Sequence, residues 1–270
     1  MNLPVEQPRE WIESGVVSND TLPYEFISGL HHRHGDKIYY PAVNVDATED
    51  LISVRESWRE DQIITVFTSG VFDLLHMDHA GYLLHTKAAG AAVHYEEFNL
   101  EPWEELSTDE QREYTSDILS QEMVKLVVSV DGDNSVSVRK ASKGGFQRPV
   151  YSWQTRAMMV ASQSFVDPRS TVSRLLPTVD AVTVHGPYDF PEDSVHSSHF
   201  RLAEKLQPEV WAIFGESKDI LETAPNIAPL GNVALRCILD GEGTHYFEDG
   251  FLGKVTTTKI AERILGTNNI

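Results

Sequence analysis

Two histidines, His76 and His79, stand three positions apart in FTSGVFDLLHMDHAGYL (residues 67–83), just after a strand-like run and at a predicted helix start. One helical turn separates them, so both imidazoles fall on one face of that turn and each can donate to a phosphate oxygen. Gly70 ends the strand-like run and lets the main chain pass close to a ligand, and the free N–H groups of the helix that follows attract an anion. The arrangement suits phosphoryl or nucleotidyl transfer, in which a protein mainly positions groups and neutralises charge developing in the transition state. Spacing alone leaves three readings open: a phosphate cradle with catalytic imidazoles, a metal site, or two core histidines. Asp78, between them, sharpens the choice. A carboxylate about 4 Å from one phosphate charge costs roughly 4 kcal/mol at an effective dielectric of about 20.

The elements that must position these groups are legible around them. IITVFTS (63–69) is a continuous apolar, β-branched run, the pattern of a strand buried on both faces of a parallel sheet. The spacing of Tyr82, Leu83 and Thr86 predicts a helix over 78–89, ended by Gly90. KLVVSVDGD is a second buried-strand pattern, running into a polar loop, NSVSVRKASKGGFQRP. A helix over 153–164, a strand at 181–184, a helix at 192–206, strands at 210–214 and 232–239 and a last helix over 257–265 complete the alternation. Such alternation predicts an α/β fold with a doubly wound parallel sheet, whose ligands bind at the carboxyl ends of the strands near the switch point. Both SGVFDLLHMDH and VDGD sit at such ends.

Residues 1–60 read as an N-terminal extension packed on the main domain, and 93–123 as an acidic helical insertion. Within it, Ser107 or Thr108 with Glu110 or Gln111 resembles a helix N-cap region. Both segments are expected near the substrate-binding strand ends, shaping an acceptor pocket or a dimer interface.

Composition narrows the function classes. A formal charge of −19, from 41 acids against 22 bases, argues against a sequence-independent nucleic-acid binder and against a membrane-surface role. The basic residues that meet a polyanionic substrate must then be concentrated in a site. One cysteine, Cys237 in an apolar strand pattern, excludes an intrachain disulfide framework and fits a reducing compartment. The opening MNLPVEQPREW has no signal-peptide pattern, and no window approaches the roughly 20 apolar residues of a membrane helix. A cytoplasmic location is expected. The histidines of HHRH (His31, His32, His34) and HSSH (His196, His199) read as surface residues, because no partner of matching geometry can be named.

Gly70, Phe72, Asp73, Leu75, His76, His79, Tyr82 and Leu83 resemble the GxFDxLHxGHxxYL signature of the cytidylyltransferase-like nucleotidyltransferases. That family joins a nucleoside triphosphate to a phosphorylated alcohol or sugar and releases pyrophosphate. The likeness continues in order along the chain. VSVDGD is similar to the family's VAVNSD strand, RKASKGGFQRP to its basic loop ending in Arg-Pro, and WQTRAMMVASQSFVD to its Arg-bearing helix. LQPEVWAIFG is similar to its LxPDxxVxG strand, and FEDGFLGKVTTTKIAERIL to its final loop and helix, commonly STTxI. The resemblance covers about residues 63–265 and implies a Rossmann-like nucleotidyltransferase domain over 61–270 carrying the insertion.

What the resemblance implies for the site follows residue by residue. His76 and His79 would stabilise the pentacoordinate α-phosphorus while the acceptor's phosphate oxygen attacks in line and pyrophosphate leaves. Lys143, or its neighbour Lys140, would neutralise the acceptor phosphate or the triphosphate, with Arg148 closing the basic loop on the acceptor side. Arg156 would hold the acceptor or the loop, and Asp73 the substrate or the turn. Gly70, Phe72, Asp73 and Gly215 belong to the implied nucleotide site, with Thr257 and Thr258 binding the β- and γ-phosphates. The triphosphate would arrive as its Mg²⁺ complex. FEDG leans towards the adenylyltransferases of heptose phosphates, hence ATP over CTP, although GKVTTT also aligns, with one inserted residue, to the RTxGIST of glycerol-phosphate and ethanolamine-phosphate cytidylyltransferases. The implied partners are a nucleoside triphosphate and a sugar or polyol phosphate, with a homodimer the common arrangement.

One departure stands out: the family's Gly between the histidines is Asp78 here. Asp78 is expected to act as a first-turn acid that stabilises its own helix, or to hold Mg²⁺ that bridges the phosphates. The alternative is a non-catalytic nucleotide-binding or assembly module on the same fold. A metal-dependent hydrolase with His76, Asp78 and His79 as ligands lacks a fourth ligand that can be named.

Overall fold

The computed structural model describes residues 16–18, 37–39, 49–99, 101–140, 148–172, 174–185, 197–214 and 234–238. Two short strands, β1 (Val16–Ser18) and β2 (Lys37–Tyr39), pair antiparallel with each other. Helix α1 (Glu49–Glu60) leads into β3 (Ile64–Gly70), which is followed by α2 (Met77–Asn99), α3 (Thr108–Ser120) and β4 (Val124–Asp131). Helices α4 (Asp133–Lys140) and α5 (Trp153–Ala161) precede a small antiparallel pair, β5 (Ser164–Val166) and β6 (Leu175–Pro177). Strand β7 (Ala181–His185), helix α6 (Ser197–Leu206) and strands β8 (Val210–Phe214) and β9 (Ala234–Ile238) complete the described chain.

The main sheet has the order β7-β4-β3-β8-β9, and every neighbouring pair is parallel. The chain enters at the centre with β3, moves outward through β4 and β7, then crosses to the other side for β8 and β9. The winding direction therefore reverses between β3 and β8, the switch point of a doubly wound, Rossmann-like sheet. Strand alternation assigns the two faces of the sheet. Val66, Leu126, Val128, Val210 and Ala212 point towards α2 and α5, while Phe67, Val127, Ala181 and Trp211 point towards α1 and α6. Leu51, Val54 and Trp58 of α1 belong to the second of these layers, so this helix is an integral cover of the sheet.

Three sequence expectations are corrected. First, α2 does not stop at Gly90 but runs on to Asn99. Glycine there serves close packing: an added Cβ would lie 2.6 Å from Val124 Cγ1 and 2.8 Å from Val66 Cγ2. Second, the start of the expected polar loop, residues 133–140, is helix α4, with Asp133 as a favourable first-turn acid. Third, the insertion is not near the ligand-binding strand ends. Helix α2 runs antiparallel to β3 and delivers the chain to the amino edge of the sheet, where β4 begins. At about 1.5 Å per residue α2 outreaches β3, and its last turns, from residue 93 on, begin the insertion. There Tyr95, Trp103 and Tyr114 form an edge-to-face cluster with centroids 5.0–6.1 Å apart. Ser107 and Glu110 form the capping box that starts α3.

The amino edge also carries a buried ion cluster that the sequence did not announce. Lys87 Nζ of α2 donates to Asp180 Oδ2 and to the Pro177 carbonyl, both at 2.7 Å. Lys125 Nζ lies 3.4 Å from Asp180 Oδ1 and 3.3 Å from Glu122 Oε2. No helix among the described residues is long and apolar enough to cross a membrane.

Candidate active site

The site begins where β3 ends, at the carboxyl edge beside the switch point. The connection from Gly70 to α2 is tight: Phe72 and Leu74 both take left-handed backbone conformations, φ 51° and 54°. Such conformations are costly for bulky residues and persist only where surrounding contacts hold them. Asp73, between the two, supplies the contacts. Its buried carboxylate accepts from Arg148 Nε at 3.1 Å, from Val150 N–H at 3.0 Å and from Tyr151 N–H at 3.2 Å. Asp73 thus joins the β3–α2 turn to the segment that follows the basic loop.

Arg156 is the second clamp. It is fully buried, and its guanidinium donates to the carbonyls of Val71 (2.5 Å), Asp131 (2.6 Å) and Tyr151 (3.0 Å) and to Asp133 Oδ1 (2.8 Å). One side chain on α5 therefore ties together the carboxyl ends of β3 and β4, the start of α4 and the 148–151 segment. The contacts described for Asp73 and Arg156 are thus internal ones, to the β3–α2 turn, to the start of α4 and to the 148–151 segment. Tyr82 fixes the helix itself: its hydroxyl is 2.5 Å from Thr68 Oγ1, which donates to the Ala212 carbonyl of β8.

On this base the histidines meet. The rings of His76 and His79 lie 4.0 Å apart, tilted by 36°. His76 is the residue just before α2, and its N–H donates to His79 Nδ1 at 3.4 Å, the side-chain half of a capping box. That bond leaves Nε2 as the protonated nitrogen of a neutral His79, a donor without a positive charge. Burial, reinforced by His76 and Arg148 nearby, pushes the His79 pKa down to about 3. His76 is lowered by burial too, against the pull of Asp78. Asp78 Oδ2 lies 3.9 Å from His76 Nδ1, which has no hydrogen-bond partner among the described residues. The Asp78 side chain is 28% exposed, so its carboxylate can reach solvent from the first turn of α2. Phe72 closes the rear: its ring meets His79 edge on, centroids 5.6 Å apart, and fills the space where a side chain on Gly70 would sit.

Lys143, Gly215, Thr257 and Thr258 lie outside the described residues, as do the helix at 257–265 and the side chain of Lys140, whose backbone closes α4. Among the described residues no group of three or more His, Cys, Asp or Glu side chains is arranged to hold a metal ion. Asp78 offers one accessible carboxylate, which fits a magnesium ion that brings its other ligands as phosphate oxygens and water. Sequence reasoning missed the packing of Phe72 on His79 and the Arg148–Asp73 pair. It also passed over Lys87, whose position four residues after Leu83 and three before Gly90 placed it on the inward stripe.

A doubly wound parallel sheet with a paired-histidine turn at its carboxyl edge defines a Rossmann-like α/β class of protein. Sequence similarity, with the ordered motifs, supports a cytidylyltransferase-like nucleotidyltransferase within it. The chain is 36% identical over 107 residues to the Bifunctional protein HldE of Helicobacter pylori strain P12, covering 40% of this chain and 15% of that protein. It is 34% identical over 117 residues to the Bifunctional protein HldE of Helicobacter pylori strain HPAG1, covering 43% and 17%. The matches thus span 15% to 17% of the length of these curated relatives. No family model matches the chain. Among solved structures, the lipopolysaccharide core biosynthesis protein from Thermoplasma volcanium GSS1 has a TM-score of 0.35 at 19% identity, covering 66% of this chain and 95% of that one. That likeness is too distant to bear on function.

Proposed function

We propose that this protein transfers a nucleoside monophosphate from a nucleoside triphosphate to a sugar phosphate or polyol phosphate, releasing pyrophosphate, with ATP favoured over CTP. The observation that carries the reading is the pair of adjacent imidazoles, ring centroids 4.0 Å apart at the start of α2 beside the switch point. An acceptor phosphate oxygen attacks the α-phosphorus in line, and the bond from that phosphorus to the bridging β-oxygen breaks. His79, neutral, donates through Nε2 to a non-bridging oxygen of the α-phosphate, and His76 supports the same oxygens. The N-terminus of α2 adds its partial positive charge. Lys143, Lys140 and Arg148 on the acceptor side, and Thr257, Thr258 and Gly215 on the nucleotide side, carry the roles that the motif resemblance implies. Magnesium, held by the phosphates and by Asp78, would neutralise charge on the triphosphate. HldE similarity supports the transferase class, and the lean to ATP rests on the FEDG motif.

Pyrophosphate release measured across the four ribonucleoside triphosphates, each with a panel of sugar and polyol phosphates, tests the reading. Turnover with one pair is the expected result, and no release from any pair would overturn it. Asp78 in place of glycine favours one rival, a nucleotide-binding or assembly module without catalysis. That rival requires nucleotide binding with no pyrophosphate from any pair.

A further inference from the structure

Resting on the transferase reading, we propose that Phe72 is a positioning residue for His79, and that position 70 is glycine to admit the Phe72 ring rather than a nucleotide. Three observations converge. A Cβ on Gly70 would lie 2.9 Å from Phe72 Cε2 and 3.1 Å from Cζ, so the ring already occupies the volume that a side chain there would need. The same ring meets the His79 imidazole edge to face, with centroids 5.6 Å apart and planes at 60°. Phe72 is 4% exposed, which leaves almost no ring surface for a ligand.

The left-handed φ of 51° at Phe72 belongs to the same device, because the chain there folds the ring back over Gly70. Among the described residues, His79 is then held by the Phe72 ring, by the neighbouring His76 ring and by the His76 N–H on Nδ1. A donor aimed at a transferring phosphate must be fixed to within about half an ångström, which requires packing of this kind. The glycine and the aromatic of the signature are, on this view, one unit with the second histidine.

A double-mutant cycle tests it, using Gly70→Ala, Phe72→Leu and both together in the full chain. Gly70→Ala should drive the ring against His79 and lower kcat about a hundredfold, with KM for the triphosphate within about threefold. Phe72→Leu should lower kcat similarly, and adding Gly70→Ala to it should cost less than about twofold more, because the smaller side chain vacates the volume. Equal damage from Gly70→Ala in both backgrounds, with a raised KM, would mean that position 70 faces the nucleotide, and would overturn the proposal. The second readout needs no substrate: the His79 ring protons, followed by NMR in the wild type and in Phe72→Leu. They should move when the ring current of Phe72 is lost, and unmoved signals also overturn the proposal. If the wild type turns over no substrate pair, the transferase reading fails, while the NMR comparison still decides the packing of Phe72 on His79.

Discussion

The Asp78 carboxylate faces the ring of His76, Oδ2 lying 3.9 Å from Nδ1. At the first turn of α2 this charge favours the helix and opposes a phosphate bound at the same N-terminus. Asp78→Asn should therefore tighten triphosphate binding about tenfold when magnesium is chelated, and should shrink the gain that magnesium brings. Isothermal titration of both proteins, with and without Mg²⁺, checks this. Equal affinities in chelator would show that the carboxylate does not sense the phosphates.

His79→Ala removes the neutral donor. A loss of about a hundredfold or more in kcat, with KM little changed, is expected if the imidazole acts mainly on charge developing in the transition state. Steady-state kinetics separate the two parameters, and a change confined to KM would assign His79 to ground-state binding.

The low proton affinity of His79 gives stability a pH dependence of known sign. Its folded pKa of about 3 lies below the ordinary histidine value near 6.5, so the unfolded chain binds the extra proton between them. Stability from this group is present above pH ~6.5 and falls as pH drops from there towards ~3. Denaturant midpoints at a series of pH values should show a shallower acid decline in His79→Gln than in the wild type. Parallel curves would assign the decline to other groups.

Asp73→Asn removes the carboxylate that pairs at 3.1 Å with the Arg148 guanidinium, itself 9% exposed. Breaking a buried pair from one side costs about 3 kcal/mol or more, so the denaturation midpoint should fall while the slope stays unchanged. A stability change under about 0.5 kcal/mol would mean that the pair contributes little to the turn.

Lys87→Met should also destabilise by about 3 kcal/mol, since it removes the amine that bridges Asp180 and the Pro177 carbonyl. Nucleotide affinity should be unaffected, because this cluster lies at the amino edge of the sheet and the histidines at the carboxyl edge. Altered affinity in a folded variant would contradict that separation.

The strands and caps of this protein were legible because each is written in consecutive residues. ITVFTSG and VKLVVSVD are apolar runs that only a sheet covered on both faces can bury, and Ser107 with Glu110 closes a cap within one turn. The limits of α2 were not legible, since glycine both ends helices and lets them approach a sheet. Val66 and Val124, distant in sequence, decide between those uses at Gly90.

The sequence by itself determined the alternation of strands and helices, the one-turn spacing of His76 and His79, and the ordered motifs around them. Only the tertiary structure decided which way the polar groups turn. Asp73 and Arg156 read equally well as substrate ligands or as clamps. Folding brings the amides of residues 150 and 151 to the one, and the carbonyls of Val71, Asp131 and Tyr151 to the other. Buried main-chain groups must find partners, and their positions follow from the crossing of distant segments rather than from local pattern.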